Sequence, residues 1–429
     1  MAHFVSTAAT ALGAALFLAG AAPALAQASA SEESQGPLAD SAAPQVADES
    51  SNSIRAVSPS YQPGTGQDVN LLIAGFAETG LAISDRETLS GTTFFSGSLN
   101  PGLYVQYKDL LLFESELEIA ATEDGDTEVV VEFAQIDLFL HDYATLVVGK
   151  FLSPVGQYQE RLHPAWINRL PSSPPGFGHD GLQPGADVGV QLRGGVPAGR
   201  SRFTYALGIG NGPRSSPHGA PMQEGFTDDD NSNKAISGRI GFLPVPYLEF
   251  GASIMRSRTR VAAEEEEGEE EVMAAAASIA EGAAENLPDV DFNIWGLDAA
   301  YTRGPWDVRA EFLSGTRSAY GLTMGGETMA VPRLKLRAWY AQVAYRLSGI
   351  TQQRILQNFE PVVRYGEYRV KGLDELAEEA QETRGDFGLN YWFAPQFVLH
   401  GALELRRFTA REEGERKDRR FLFQLGYGF

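Results

Sequence analysis

The chain has 429 residues, a formal net charge of −22 and no cysteine. The missing cysteine excludes a disulfide framework, thiolate metal sites and cysteine nucleophiles, and the acidic balance argues against nucleic acid as a partner, because that affinity depends on Lys and Arg that neutralise phosphates. The length allows either several soluble domains or one large barrel, and 46 glycines with 10% aromatic residues suit an all-β protein with many turns.

The N-terminus carries an export signal. The stretch from Ala8 to Ala26 is apolar and ends in Ala24-Leu25-Ala26 before Gln27, which is the pattern of a signal-peptidase site. The first seven residues contain His3 but no Lys or Arg, which departs from the usual signal. We therefore predict a cleaved signal peptide over residues 1–26, with an uncleaved anchor helix as the alternative.

The segment 27–68 is dense in Ser, Ala, Pro, Glu and Asp and shows no hydrophobic periodicity. Such a segment has too few apolar side chains to form a core. We predict that it is a disordered periplasmic lead to the folded domain.

From Val69 onward, apolar and polar residues alternate, as they do in a strand with one apolar face. Val188, Val190 and Leu192, for example, alternate with Asp187, Gln191 and Arg193. A helical membrane protein needs about 20 consecutive apolar residues per span, whereas only alternate residues of a barrel strand face lipid. A mean hydropathy of −0.19 is therefore compatible with a membrane barrel.

About sixteen such segments can be placed, and bacterial barrels have an even number of strands. They start near Val69, Gly91, Leu110, Glu128, Ala144, Asp187, Arg202, Lys234, Tyr247, Asp291, Trp306, Leu334, Glu360, Thr383, Gln396 and Arg419. The sequence thus predicts an all-β fold for residues 69–429, a transmembrane antiparallel β-barrel of about 16 strands.

The connections between these segments sort by length. Every second connection is a short turn, such as Tyr107-Lys108-Asp109 or Arg303-Gly304-Pro305, with 349–359 as the one long exception. The other set is mostly long, with loops over 151–186, 212–233, 261–289, 319–333 and 372–382. Short periplasmic turns and long external loops are typical of an outer-membrane barrel, whereas a soluble β-sandwich has no reason to sort its loops in this way.

The fifth connection, which is the third external loop, is unusually apolar. It combines Tyr158, Trp166 and several aliphatic residues with five polar side chains: Glu160, Arg161, His163, Asn168 and Arg169. A fully exposed loop rarely carries so much apolar material. We predict that this loop folds into the barrel, packs on the wall and narrows a pore, with the five polar residues at the constriction.

The loop 261–289 contains seven glutamates between Glu264 and Glu271. Like charges at this density repel one another and remain solvated. We expect a disordered surface loop; the alternative is a device that captures divalent cations or repels anions at the pore mouth.

The chain ends in Phe429 after an alternating aromatic segment. The final strand of a barrel must pair with the first, because an unpaired edge cannot stand in lipid. A terminal aromatic residue also suits the membrane interface. This end resembles the C-terminal signature that the barrel-assembly machinery recognises, and a chance phenylalanine is the alternative.

A family resemblance rests on three stretches: 132–137 (EFAQID), 147–156 (VVGKFLSPVG) and 160–168 (ERLHPAWIN). Together they resemble the phosphate-selective porin family, porins O and P. The resemblance implies a sixteen-stranded barrel, an inward third loop, a homotrimer and the outer membrane of a Gram-negative bacterium.

Phosphate selectivity in that family rests on lumen arginines and lysines. The candidate lumen cations here are Lys150, Arg193, Arg239, Arg309, Arg364 and Arg406. They face a comparable number of acids: Glu114, Glu116, Glu118, Glu132, Asp187, Asp298, Glu311 and Glu404. The alternative role for each charge is a solvated lumen residue that sets the wall potential, so anion selectivity stays open.

Enzyme and metal motifs such as G-x-S-x-G, a P-loop and H-E-x-x-H are missing from the sequence. We therefore expect no enzyme activity, no cofactor and no metal, although His163 and His179 with Glu160 and Asp180 keep a hydrolase or metal site open. The function we expect is an outer-membrane porin for passive diffusion of small polar or ionic solutes, with phosphate and other anions among the candidates, seated in outer-membrane lipids. The alternative is a structural or adhesin barrel with a blocked lumen.

Overall fold

The computed structural model describes residues 68–85, 91–95, 97–122, 125–178, 181–215, 221–222, 225, 227, 231–260, 289–324, 327–372, 381–410 and 414–429. The predicted signal peptide, the predicted disordered segment as far as residue 67, the acidic loop as far as residue 288, and His179 with Asp180 lie outside these residues.

Sixteen strands form the barrel. They are β1 Val69–Ser84, β2 in two parts (Gly91–Phe95 and Ser98–Tyr107), β3 Leu111–Ala121, β4 Thr127–His141, β5 Ala144–Leu152, β6 Ala186–Ala198, β7 Ser201–Gly210, β8 Ala235–Val245, β9 Leu248–Arg260, β10 Asp289–Arg303, β11 Trp306–Arg317, β12 Leu334–Tyr345, β13 Phe359–Lys371, β14 Glu382–Ala394, β15 Phe397–Ala410 and β16 Gly414–Gly428.

Smaller elements lie in the connections. A four-residue helix, α1 (Tyr158–Arg161), follows β5, and two 3-10 turns, Leu347–Gly349 and Leu356–Asn358, precede β13. Two short hairpins extend from external loops: Arg214–Ser215 with Pro221–Met222, and Tyr320–Met324 with Glu327–Val331. Among the residues that the structure describes, no helix has the length and apolar content to cross a bilayer.

The sheet closes on itself. Each barrel strand pairs antiparallel with its neighbours in sequence, and β1 also pairs with β16, from Phe76 opposite Gly428 to Ser84 opposite Arg420. Gly75 and Phe429 exchange backbone hydrogen bonds of 3.0 and 2.9 Å, which continues the closing ladder to the last residue. Closure satisfies the backbone groups that hydrocarbon cannot, and the predicted sixteen-stranded antiparallel barrel is confirmed.

The predicted strand starts agree with the structure to within two residues, except for the last. We predicted β16 to begin near Arg419, where its aromatic alternation starts, but the strand begins at Gly414. Residues 415–419 are charged, and they pair with the end of β15 at the external rim. Alternation of apolar residues predicts only the part of a strand that faces lipid. It does not predict a polar extension of the strand beyond the membrane.

The sorting of connections by length is confirmed. The turns after β2, β4, β6, β8, β10 and β14 are short, and the connection after β12 is the long exception. The loop after β5, over 153–185, is the longest on the opposite rim. Short turns define the periplasmic rim. The third external loop begins at the opposite, external rim.

The two faces of the wall differ as predicted. Leu207, Ile209 and Ile240 point outward and are exposed, whereas Ser237 and Arg239 point inward and are buried. Near the periplasmic rim, aromatic rings contact one another in sequence around the outer face: Phe359, Tyr391, Phe393, Phe397, Tyr427 and Phe429. This aromatic belt is the arrangement that suits the membrane–water interface.

Candidate pore constriction

The third external loop lies inside the barrel, as predicted. Its side chains Val155, Tyr158 and Leu162 are buried in one cluster with Leu313 and Tyr340 of the inner wall. Tyr158 and Tyr340 meet edge to face, with ring centroids 6.2 Å apart. The apolar content that set this loop apart in the sequence therefore packs against the wall rather than facing water.

The loop reaches the periplasmic half of the lumen. Arg169 contacts Asp307 at 3.3 Å and Glu360 at 3.6 Å, and each of these acids is the second residue of its strand at the periplasmic rim. His400, near the start of β15, is bonded through Nε2 to the carbonyl of Ala165 at 2.9 Å. The chain enters from the external rim at Leu152 and so descends through much of the barrel.

One end of the loop is held by Glu311 of β11. Its carboxylate accepts the backbone N–H groups of Gln157 at 3.0 Å and Tyr158 at 3.1 Å, where α1 begins. Gly156 precedes them with φ +77°, and a Cβ there would lie 1.8 Å from Glu311 Oε1, so glycine is required. The Gln157 amide also donates to Asp298 at 2.6 Å. Charge-assisted bonds of this kind are about twice as strong as neutral ones.

The helix itself is held by its neighbours within the loop. Burial raises the pKa of the Tyr158 phenol above its usual range. The phenol oxygen accepts the side-chain N–H of Asn168 at 3.2 Å. Asn168, one of the predicted constriction residues, therefore fixes the return of the loop rather than facing open lumen.

The part of the loop just past its tip, at Ser172 and Ser173, is held by an ion-pair network on β13 to β16. Ser172 donates to Glu404, and Arg384 donates to the carbonyl of Ser173. Arg364 bonds Asp386 at 2.7 Å and Ser172 at 3.2 Å. Arg420 donates twice to Glu404, at 2.9 and 2.6 Å. The loop is thus joined to the wall both at β11 and across β13 to β16.

The remaining predicted loop residues lie in this crossing segment. Arg161 is partly exposed and bonds Glu249 of β9 at 2.5 Å, with Glu160 at 3.7 Å. Arg169 stacks on Trp392, with the guanidinium carbon 5.1 Å from the ring centroid. His163 is 1% exposed. The structure therefore brings Glu160, Arg161 and Arg169 to the lumen and buries His163 within the packed loop.

Five of the six predicted lumen cations point into the barrel, and each bonds a carboxylate. The pairs are Arg193 with Glu114 and Asp137, Arg239 with Glu249 and Asp298, Arg309 with Asp307, Arg364 with Asp386, and Arg406 with Glu382. The predicted acids Glu114, Glu116, Glu132, Asp187, Asp298, Glu311 and Glu404 are buried on the same inner face.

Lys150 is a correction. Alternation along β5 puts it in the same set as Val148, which is exposed on the outer face, while Val147 and Phe151 point inward and are buried. Its ammonium donates to the carbonyl of Val131 at 2.7 Å. The prediction that Lys150 faces the lumen was wrong, because the period of β5 places it on the outer face.

Several functional residues escaped the sequence prediction. Arg384 and Arg420 lie beside Arg364 and Arg406 on neighbouring strands, where Asp386 pairs with Arg384 and Glu404 pairs with Arg420. Asp307 and Glu360 both pair with Arg169 of the loop. Alternation along β14 and β16 puts both arginines on the inner face, so this signal could have identified them. Within the described ranges, no group of three or more His, Cys, Asp or Glu side chains is arranged to hold a metal ion.

A cavity lies beside the loop at the periplasmic rim. Its volume is about 230 Å³, and Arg161, Tyr247, Glu249, Thr302 and Arg309 are among its lining residues. It is bounded on one side by the loop and on the other by the turn between β8 and β9. The lining is mixed in charge, as is the wall above it.

The tip of the loop rests on the last strand. Gly428 faces the Trp166 ring so closely that a Cβ there would lie 2.9 Å from Nε1. We expect Gly428→Val to destabilise the barrel by about 1–3 kcal/mol through overpacking, measured as a lower urea midpoint in detergent. Gly401→Val is the control, because a Cβ there meets Phe423 only at 3.4 Å. Equal midpoints for both variants would show that the tip does not press on β16.

Comparison with known proteins places the fold. A family model described as "Phosphate-selective porin O and P" matches residues 204–419. Porin O of Pseudomonas aeruginosa is 25% identical over 164 residues, which cover 32% of this chain and 36% of Porin O. The matched segment therefore spans about a third of the length of that relative. The family match lies downstream of the motifs that first carried the resemblance.

Solved structures share the barrel at low identity. The outer membrane channel DcaP of Acinetobacter baumannii has a TM-score of 0.54 at 11% identity, covering 85% of this chain and 99% of DcaP. The trimer form of OmpT from Vibrio cholerae has a TM-score of 0.51 at 13% identity, covering 85% and 100%. OmpF of Salmonella typhi has a TM-score of 0.52 at 11% identity, covering 84% and 98%.

Proposed function

The chain belongs to the phosphate-selective porin O and P family, and from this premise we propose that its barrel is a passive channel for small polar or ionic solutes. Membership makes it an outer-membrane porin. The observation that carries the proposal is the third loop, which lies within a polar-walled barrel and brings Glu160, Arg161 and Arg169 to the lumen. A loop so placed narrows a pore rather than capping it.

We propose weak ion selectivity rather than a preference for phosphate. Arg193, Arg239, Arg309, Arg364 and Arg406 each bond a carboxylate. A phosphate ion would have to compete with these carboxylates, which are held at short distance in the protein. The name of the family is the support for phosphate, and the ion pairing of the wall is the argument against strong selectivity.

We also propose a homotrimer and recognition by the assembly machinery. The likeness to OmpT in its trimer form supports the first. Phe429, 42% exposed at the end of the aromatic belt, supports the second.

The hydrolase alternative loses one of its candidate catalytic residues, since His163 is buried where a solute does not reach it. Passive passage accounts for the site better than hydrolysis.

A blocked barrel is the second candidate. The loop contacts the wall at Glu249 of β9, at Glu311 of β11 and at Glu404 of β15. Contacts on so many strands would suit a plug in a structural or adhesin barrel. The two candidates differ in one observable, which is whether ions cross the purified protein.

Recording from planar lipid bilayers distinguishes them. We expect stepwise, ohmic openings at nanomolar protein, as a loop that narrows the lumen without closing it would allow. In a tenfold salt gradient, we expect a small reversal potential, since the paired charges of the wall favour neither ion strongly. A reversal potential near the Nernst limit for chloride or phosphate would contradict weak selectivity. No openings from folded protein would favour the plug.

A further inference from the structure

The long periplasmic connection between β12 and β13, residues 346–358, exposes three large aliphatic side chains. Ile350 is 73% exposed, Ile355 is 56% exposed and Leu356 is 47% exposed. The segment is held by its own hydrogen bonds, including Thr351 N–H to the Leu347 carbonyl at 3.0 Å. A backbone that is fixed by its own hydrogen bonds and exposes several large aliphatic side chains along one short segment marks an interaction surface.

The polar side chains of the connection bond its backbone. The Gln353 side-chain oxygen accepts the Leu356 N–H at 3.1 Å, and the Asn358 amide donates to the Arg354 carbonyl at 3.4 Å. At its root, Arg346 turns toward the lumen, where it stacks on Trp392 and lies 3.7 Å from Glu360. The Gln353, Asn358 and Arg346 side chains are thus used internally or at the pore mouth, while the aliphatic groups stay exposed together with Gln352 and Arg354.

The connection is continuous with the aromatic belt at both ends. It follows Tyr345, whose ring meets Trp306 at 4.6 Å, and it leads into Phe359, whose ring meets Tyr391 at 4.9 Å. Arg346 N–H donates to the Pro305 carbonyl at 2.8 Å. Gly349 lies against the Tyr345 hydroxyl, 2.5 Å from where its Cβ would stand. The segment therefore lies against the outer, lipid-facing side of the rim.

We propose that residues 346–358 form an interfacial anchor, which inserts Ile350, Ile355 and Leu356 into the periplasmic leaflet of the membrane. The belt beside them is the lipid interface already described, and aliphatic groups next to it gain by leaving water. This explains why one periplasmic connection is long while the others are tight turns. The anchor would fix the tilt and depth of the barrel on the side of β12 and β13.

The chain has no cysteine, so single cysteines can be introduced without other changes. A nitroxide spin label is placed at Ile350→Cys or Ile355→Cys in full-length protein reconstituted into phosphatidylcholine–phosphatidylglycerol vesicles. Collision with oxygen, which concentrates in lipid, is compared with collision with a water-soluble nickel chelate. Val363→Cys, outward on β13 and 50% exposed, is the lipid control, and Gln352→Cys, exposed on the same connection, is the water control.

We expect labels at Ile350 and Ile355 to match Val363, with an oxygen-to-nickel accessibility ratio at least severalfold above that at Gln352. A ratio equal to that at Gln352 would overturn the anchor. Low accessibility to both reagents would also overturn it, because it would mean that a second copy of the chain covers the segment. If the label at Val363 also showed a low oxygen-to-nickel ratio, the result would contradict the membrane-spanning barrel itself and not only the anchor.

Discussion

Replacing Leu207 by arginine is expected to destabilise the barrel in lipid by about 2–4 kcal/mol, the cost of a cation near the bilayer midplane. Leu207 lies in the middle of β7, points outward and is 55% exposed. Its strand partners are Leu192 and Gly238, which offer no counter-charge. The measurement is urea unfolding of protein in vesicles, with the yield of folded barrel as a second readout.

Thr204→Arg is the matched control on the same strand. Thr204 faces the lumen, and its hydroxyl and the Glu249 carboxylate both lie within 3.1 Å of the point that a Cβ on Gly241 would occupy. An arginine there reaches a carboxylate and water, so we expect stability close to that of the unmodified protein. Equal losses at Leu207 and Thr204 would contradict the assignment of the inner and outer faces.

Glu311→Ala is expected to release the descending end of the third loop. The substitution removes the acceptor of two backbone N–H groups, at Gln157 and Tyr158, and bonds to charged groups are worth about 1.5–3 kcal/mol each. A loosened loop no longer keeps the narrowest part of the lumen at a fixed width. We expect a larger single-channel conductance with more open-state noise, while the urea midpoint falls modestly because the second attachment at Glu404 remains.

Asp137→Ala is the control for Glu311. It removes one carboxylate from the inner wall, but Asp137 bonds Arg193 and Gln135 rather than the loop. Both variants remove one carboxyl group from the inner wall. If Asp137→Ala raised conductance and noise as much as Glu311→Ala, charge rather than loop position would set the current.

Two regularities of the sequence predicted the barrel: the alternation of apolar and polar residues, and the alternation of short and long connections. Alternation such as that from Asp187 to Arg193 gave the strands and their inner faces, and the sorting of loop lengths gave the two rims. These features are local: they follow from the period of one strand and from membrane thickness. The start of β16 was missed because residues 415–419 extend beyond the lipid-facing part of the strand. Side chains there do not contact lipid, so apolar and polar residues do not alternate.

The site was predictable in part. An apolar third loop indicated inward folding, yet nothing local indicated that Ala165 would reach His400. Ion-pair partners such as Arg364 and Asp386 lie on adjacent strands and depend on register. Lys150 was assigned to the lumen although the period of its own strand places it on the outer face. Long-range geometry decides which charges meet, and one sequence does not contain it.

The most direct test of passive diffusion is the swelling of proteoliposomes in isotonic sugars. The account predicts that arabinose enters rapidly, that larger oligosaccharides enter progressively more slowly, and that no solute saturates the rate, because diffusion past the third loop is limited by size. Vesicles that hold folded barrel but shrink and swell like empty ones would contradict a pore and would leave the blocked barrel in its place.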